Sequence, residues 1–185
     1  MSLDHILLGI LCEPSAGYDI KRQFQEVFNH FWSADLAQIY RSLQRLEKQG
    51  LLESRVEPSD RGPPRKVYRR TPAGARKLQE WLAGGPVFGT EKVTWLAQVF
   101  FLAQAKERDL DERFFIALRE ELQARLAALE AIEAEWGKQR ADLPDGVDDN
   151  DFHAWLTLDM GLRKTRALVE WADKSLERLR KRKES

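Results

Sequence analysis

Residues 35–70 read DLAQIYRSLQRLEKQGLLESRVEPSDRGPPRKVYRR, and the change of period inside this stretch decides the fold. Asp35 suits an N-cap, and Leu36, Ile39, Leu43 and Leu46 follow at helical spacing as far as Gly50, which suits a left-handed C-cap. The spacing predicts a helix over 35–49. Beyond it, Leu51, Leu52, Ser54 and Val56 lead through Pro58-Ser59-Asp60-Arg61-Gly62-Pro63-Pro64 to Lys66-Val67-Tyr68-Arg69-Arg70-Thr71. Two short strand-like runs around a Gly/Pro turn predict a hairpin with a basic tip. Strand alternation puts Lys66, Tyr68 and Arg70 on one face and Val67 and Arg69 on the other.

Upstream, Leu3, Ile6, Leu7, Ile10 and Leu11 mark a first helix over 3–12, and Glu13-Pro14-Ser15-Ala16-Gly17 breaks it. A second helix over 17–31 carries Ile20, Phe24, Val27, Phe28 and Phe31 on one side. Downstream, Thr71-Pro72 opens a helix over 72–83 with proline at its first position. Helix, helix-turn-helix, then a basic hairpin is the order of a winged helix. The third helix offers Gln38, Tyr40, Arg41, Gln44 and Arg45 on its polar face. In a DNA major groove Arg can pair with guanine and Gln with adenine, while the hairpin grips phosphate through Arg61, Arg65, Lys66 and Arg69. Alternation forbids all four from pointing the same way, and the turn arginines are the stronger candidates.

Charge supports this locally rather than globally. The 185 residues hold 30 basic and 30 acidic side chains, a net charge of zero that by itself argues mildly against nucleic acid. Residues 61–77, however, contain seven basic residues and no acidic one. Screening over roughly 8 Å at physiological salt makes that local stripe the relevant field.

Ala83-Gly84-Gly85-Pro86 and Gly89 form a hinge-like composition shift, which places a domain boundary between 1–83 and 84–185. Helices are expected over 91–106, 109–140 and 151–182, the last fraying through Arg180-Lys181-Arg182-Lys183. In the second of these, Phe115, Leu122, Leu129 and Trp136 recur every seven residues with Leu118, Leu126 and Ile132 between them. Arg125 interrupts one inner slot, so a strict coiled coil is not expected. The fold class is mainly α with a small β-hairpin: a winged helix-turn-helix followed by an antiparallel arm of long helices. Such an arm leaves apolar faces for a second copy, with Leu118, Leu122, Leu129, Trp136, Trp155, Leu168 and Trp171 as dimerisation residues.

The chain resembles the PadR family of bacterial transcriptional regulators. The resemblance rests on Gly17-Tyr18-Asp19-Ile20, Gln38-Ile39-Tyr40 with Leu43, Leu46-Glu47 and Gly50-Leu51-Leu52. It continues through Arg61-Gly62-Pro63-Pro64-Arg65-Lys66, Tyr68-Arg69 and Thr71-Pro72-Ala73-Gly74. Trp95-Leu96, Phe100-Phe101-Leu102 and Leu158 to Gly161 before Trp171 are similar, less specifically, to the longer-tailed members. The chain departs at Ala16, Ala37 and Arg41, where members usually carry His, Gly and often Pro. The resemblance implies repression of transcription by a homodimer on a palindromic operator, with Tyr18 and Tyr40 facing the DNA. It also implies a flat aromatic or phenolic effector, for which Trp95 is the candidate contact. The competing reading is that the arm's tryptophans simply fill its core.

Other function classes find little support. Three histidines and the lone Cys12 have no metal-ligand spacing, and no catalytic triad or glycine-rich phosphate loop is present. Neither an enzyme, a metal nor a cofactor is expected. No apolar run approaches bilayer-crossing length and the N-terminus shows no signal pattern, so a cytoplasmic protein with no membrane partner is expected. The alternative to double-stranded DNA as partner is a protein-interaction adaptor or anti-regulator that keeps the winged fold without specific DNA binding.

Overall fold

The computed structural model describes residues 2–28, 31–58, 64–89, 92–105, 107, 109–139, 144 and 146–184. The chain divides into two compact units, Met1–Gly89 and Thr90–Ser185.

In the first unit, α1 (Ser2–Ile10), α2 (Gly17–Gln23) and α3 (Leu36–Lys48) pack around a core of Leu7, Leu8, Leu11, Ile20, Phe24, Ile39, Leu43 and Leu46. The second helix is shorter than expected: after Gln23 the backbone widens into a π-type turn over Phe24–Phe28. The Phe24 and Phe28 rings lie 5.4 Å apart there, with Phe24 buried.

Both ends of α3 are closed as its sequence implies. Asp35 accepts from the Gln38 N–H (2.6 Å) and Gln38 Oε1 accepts from the Asp35 N–H (3.1 Å), a reciprocal capping box. At the other end Gly50 takes φ +69°, while its N–H donates to Glu47 O and that of Leu51 to Leu46 O. These two bonds satisfy carbonyls that the helix terminus would otherwise leave open.

The hairpin consists of β2 (Leu52–Glu57) and β3 (Arg65–Arg70), paired antiparallel from Leu52↔Arg70 out to Glu57↔Arg65. A two-residue strand, β1 (Ser15–Ala16), adds to the far edge of β3 and gives a three-stranded sheet of order β1-β3-β2. The Arg70 N–H to Leu11 O bond (2.8 Å) and the Thr71 N–H to Leu51 O bond (3.1 Å) tie the root of the wing to the helices. Then α4 (Pro72–Ala83) begins at Thr71, whose Oγ1 accepts from the Gly74 N–H, and ends near Gly85, at φ +79°.

In the second unit a short α5 (Thr94–Phe101) runs into one 3₁₀ turn, Leu102–Gln104, rather than continuing to 106. Two long helices, α6 (Leu110–Gln139) and α7 (Asp149–Glu184), form an antiparallel hairpin. Their direction follows from the ion pairs Glu112–Arg180, Arg119–Asp173 and Glu130–Arg166. Phe115, Leu122 and Leu129 are buried at seven-residue intervals, and on α7 Leu158, Leu162, Ala172 and Leu176 are buried likewise. Arg125 is exposed instead of occupying an inner slot. The end of α7 does not fray at Arg180: Lys183 Nζ lies 2.8 Å from Asp109 Oδ1 and 3.3 Å from Glu112 Oε2, so the helix continues to Glu184. Cations at the end of one helix meeting acids at the start of another also match both helix dipoles. Among the described residues no helix is long and apolar enough to cross a membrane.

Candidate nucleic-acid interface

The outward side of α3 is where the sequence places its reading residues. Tyr40, Arg41 and Gln44 are all exposed, and among the described residues Arg41 has no ion-pair partner. Tyr40 is 38% exposed, and its ring lies across Gly17, the buried first residue of α2. Tyr18 follows immediately and stands 72% exposed, free of the core. Two tyrosines and an arginine therefore project from adjoining parts of the helix-turn-helix.

Two members of the expected set are engaged within the fold. The Oε1 of Gln38 is committed to the capping box, although the residue is exposed. Arg45 pairs with Asp4 of α1 and donates to Ser42 Oγ at 3.2 Å, which clamps α1 against α3. Half of the Arg45 side chain nevertheless remains accessible.

The wing divides its basic residues by face, as the alternation predicts. Tyr68 is buried in the core, and Lys66 and Arg70 stand on its side of the sheet. Arg70 donates to Leu8 O at 2.9 Å. Lys66 Nζ lies 2.7 Å from Glu47 Oε2 on α3 and 5.1 Å from the centre of the Tyr68 ring. The other oxygen of Glu47 accepts from Ser54 Oγ on β2. The hydrogen bonds from Lys66 and Ser54 hold the Glu47 carboxyl below the usual carboxylate range, and Glu47 in turn raises the Lys66 ammonium. Burial pushes the Tyr68 phenol up.

Arg55, Arg65 and Arg69 occupy the opposite face of the wing, all exposed. Arg65 lies 3.6 Å from Glu57, which also pairs with Arg55 at 2.7 Å. Among the described residues Arg69 has no ion-pair partner. Arg61 lies outside the described residues. Arg55 was absent from the sequence-based set because the basic run begins only at Arg61, yet the register Arg55↔Val67 puts it beside Arg69.

In the arm, Leu122 and Leu129 are buried within the chain's own helical hairpin, while Leu118, Trp136, Trp155, Leu168 and Trp171 are half-buried. The large apolar side chains left exposed there are Leu96, Phe100 and Phe101 on α5 and Leu156 and Met160 on α7. Trp95 packs on Trp171 (centroids 5.6 Å apart), which packs on Phe115 (5.4 Å). A cleft of about 680 Å³ opens nearby, its lining including Val99, Leu102, Leu110, Phe115, Leu179 and Lys183 but not Trp95. Among the described residues no group of His, Cys, Asp or Glu could hold a metal ion.

Comparison with known proteins bears on the whole chain. Residues 6–80 match the transcriptional regulator PadR-like family, and residues 91–180 match the family described as virulence activator alpha C-term. The negative transcriptional regulator PadR of Bacillus subtilis is 28% identical over 177 residues, covering 94% of this chain and 95% of that protein. Its crystal structure in complex with operator DNA superimposes with a TM-score of 0.80 at 26% identity, covering 96% of this chain and 98% of that one. The form in complex with p-coumaric acid gives 0.71 at 26% identity, with 94% and 93% covered. The Vibrio cholerae virulence activator AphA gives 0.72 at 27% identity, with 96% and 98% covered. The winged helix, the helical arm and both matched regions agree: the chain carries a domain of the transcriptional regulator PadR-like family over residues 6–80, followed by a C-terminal region of the virulence activator alpha type over residues 91–180.

Proposed function

We propose that this regulator acts in the cytoplasm as a homodimer that binds a palindromic operator and represses transcription. The observation that carries the proposal is the exposed set Tyr18, Tyr40, Arg41 and Gln44 on the helix-turn-helix beside an arginine-faced wing. Under this proposal residues 1–83 read DNA, and residues 84–185 join two copies and take up the effector. In this reading α3 lies in the major groove, with Arg41 and Gln44 on base edges, and the NH₂ of Gln38 and the accessible part of Arg45 at the margins. Tyr18 and Tyr40 meet the backbone or bases, and Arg61, Arg65 and Arg69 grip phosphate. The apolar residues that the hairpin leaves uncovered give a second copy its footing. The p-coumaric acid complex of the Bacillus relative supports an aromatic acid as effector, and the Trp95 cluster is the contact this reading assigns to it.

Selection of tight binders from a random duplex pool at two salt concentrations tests this. The expected result is a palindrome with half-sites about one helical turn apart, whose affinity falls steeply with salt. Salt-sensitive binding without a consensus would make the protein a nonspecific architectural factor. Absence of binding at low salt would favour an adaptor that keeps the fold alone.

A further inference from the structure

The wing is anchored to α3 at a point where a single carboxylate meets three elements. Glu47 sits in the last turn of α3; one oxygen receives Ser54 Oγ from β2 and the other receives Lys66 Nζ from β3 at 2.7 Å. The register explains how this is possible. Ser54 lies opposite Tyr68 and Val56 opposite Lys66, so Ser54 and Lys66 are diagonal neighbours on one face of the sheet. The Tyr68 ring, buried beneath, carries the Lys66 ammonium 5.1 Å from its centre and limits where that ammonium can go.

The rest of the wing's attachment runs along β3: the backbone bonds of Arg70 and Thr71 at the root, the Arg70 side chain on Leu8 O, and the pairing of β1 with Val67 and Tyr68. From Leu52↔Arg70 to Glu57↔Arg65 the hairpin extends for roughly 17 Å, at about 3.3 Å per residue. Through Lys66, Glu47 grips it next to Arg65, at the outer end of the paired strands. Exposed ion pairs contribute little to stability. The value of this one lies in geometry: it fixes the angle between the reading face of α3 and the opposite wing face, which carries Arg55, Arg65 and Arg69.

We propose that Glu47 is a positioning residue for DNA recognition, locking the wing to the reading helix through Lys66 and Ser54, and that Lys66 is a strut rather than a phosphate ligand. This rests on the DNA-binding reading above. It separates the basic residues of the wing into two kinds by the partner each has in the fold.

The test uses the full-length protein and the operator recovered by selection, with Lys66→Met, Glu47→Gln and the exchange Glu47→Lys/Lys66→Glu. Hydrogen exchange of the free protein comes first, because it does not depend on DNA. Faster exchange across 52–57 and 65–70 in both single variants, reversed in the exchanged pair, is the expected result; unchanged exchange overturns the strut whether or not DNA binds. Salt dependence then identifies the role of the lysine. Each phosphate contact contributes about 0.9 to the slope, so losing one from each half of a dimer removes about 1.8. Lys66→Met should lower operator affinity by about tenfold with the slope unchanged, whereas Arg69→Ala should reduce the slope. A slope reduced by about 1.8 in Lys66→Met would make Lys66 a phosphate ligand and overturn the assignment. Ser54→Ala, a milder change, should give a smaller effect of the same kind. Wild-type protein that binds no duplex would defeat the DNA-binding reading and, with it, any role of Glu47 in recognition, even where the exchange data show the wing to be locked.

Discussion

The Tyr40 ring lies so close over Gly17 that a Cβ on Gly17 would come within 2.6 Å of the Tyr40 hydroxyl oxygen. Glycine is needed here for close approach and not for an unusual φ. The contact couples the start of α2, which projects Tyr18, to the exposed face of α3 that carries Arg41 and Gln44.

Gly17→Ala should therefore act on binding more than on folding. The obstructing atoms belong to the far end of a partly exposed side chain, which can swing aside. Operator affinity should fall by about 1 kcal/mol, roughly fivefold, while the melting temperature changes little. Anisotropy titration alongside a thermal melt checks this. A melting temperature that drops together with affinity would mean the glycine serves packing only.

Gly74→Ala should do the reverse. A Cβ there would lie 2.2 Å from the Leu51 carbonyl oxygen and 3.0 Å from Leu8 Cδ2. Backbone held by the Thr71 N–H cannot swing as a phenol can. Overpacking of this kind costs about 1–3 kcal/mol, and calorimetry should show a lower transition for the first unit. A melt like that of wild type would mean that α4 shifts freely on the wing root.

These contrasts show which parts of the site were legible in sequence. The extent of α3 could be read because its signals are local: Asp35 and Gln38 at one end, Gly50 at the other. The faces of the hairpin followed from alternation alone. Strand β1 could not be read, since Ser15 and Ala16 have no period of their own and become a strand only by pairing with Val67 and Tyr68. The division of labour among cations was equally hidden. Arg45 finds Asp4 across 41 positions of chain and Lys66 finds Glu47 across 19, distances at which composition predicts no partner. In the arm, Phe115, Leu122 and Leu129 of the heptad lie in a covered seam, while its fourth member, Trp136, is half-buried. Periodicity reports that a face is covered and not by what, and the chain's own α7 covers this one. The basic end of α7 looked like fraying because the acids that hold it, Asp109 and Glu112, lie some seventy residues earlier.

The same distinction sets an expectation for assembly. Leu156 and Met160 stand 42% and 59% exposed on α7, four residues apart, whereas Leu122 is 5% exposed. Leu156→Lys/Met160→Lys should weaken the dimer without unfolding the protein, because neither side chain supports the hairpin. Leu122→Lys should instead unfold the arm by burying an unpaired charge. Sedimentation and circular dichroism together separate the two. A double lysine variant that remains dimeric at low concentration would move the interface towards Phe100 and Phe101 of α5.

The clamp between the ends of α6 and α7 should make the arm sensitive to acid. Hydrogen bonds from Arg180 and Lys183 hold the Glu112 carboxyl below its ordinary value of 4.5. A carboxyl with a lowered folded pKa stabilises the fold above its unfolded pKa and loses that contribution as pH falls through the folded one. The arm of the wild type should thus lose stability progressively as pH drops below about 4.5. Glu112→Gln removes the titrating group and keeps the shape. It should melt below wild type at neutral pH, and the gap between the two should narrow as the pH falls through the lowered pKa of Glu112, where the wild type loses the same ion pairs. Melting followed by circular dichroism from about pH 7 to pH 3, at low salt to limit screening, measures the gap. A gap that stays constant over that range would place the acid sensitivity of the arm in other carboxylates, and would leave the contacts of Glu112 as surface pairs without effect on how α7 is held.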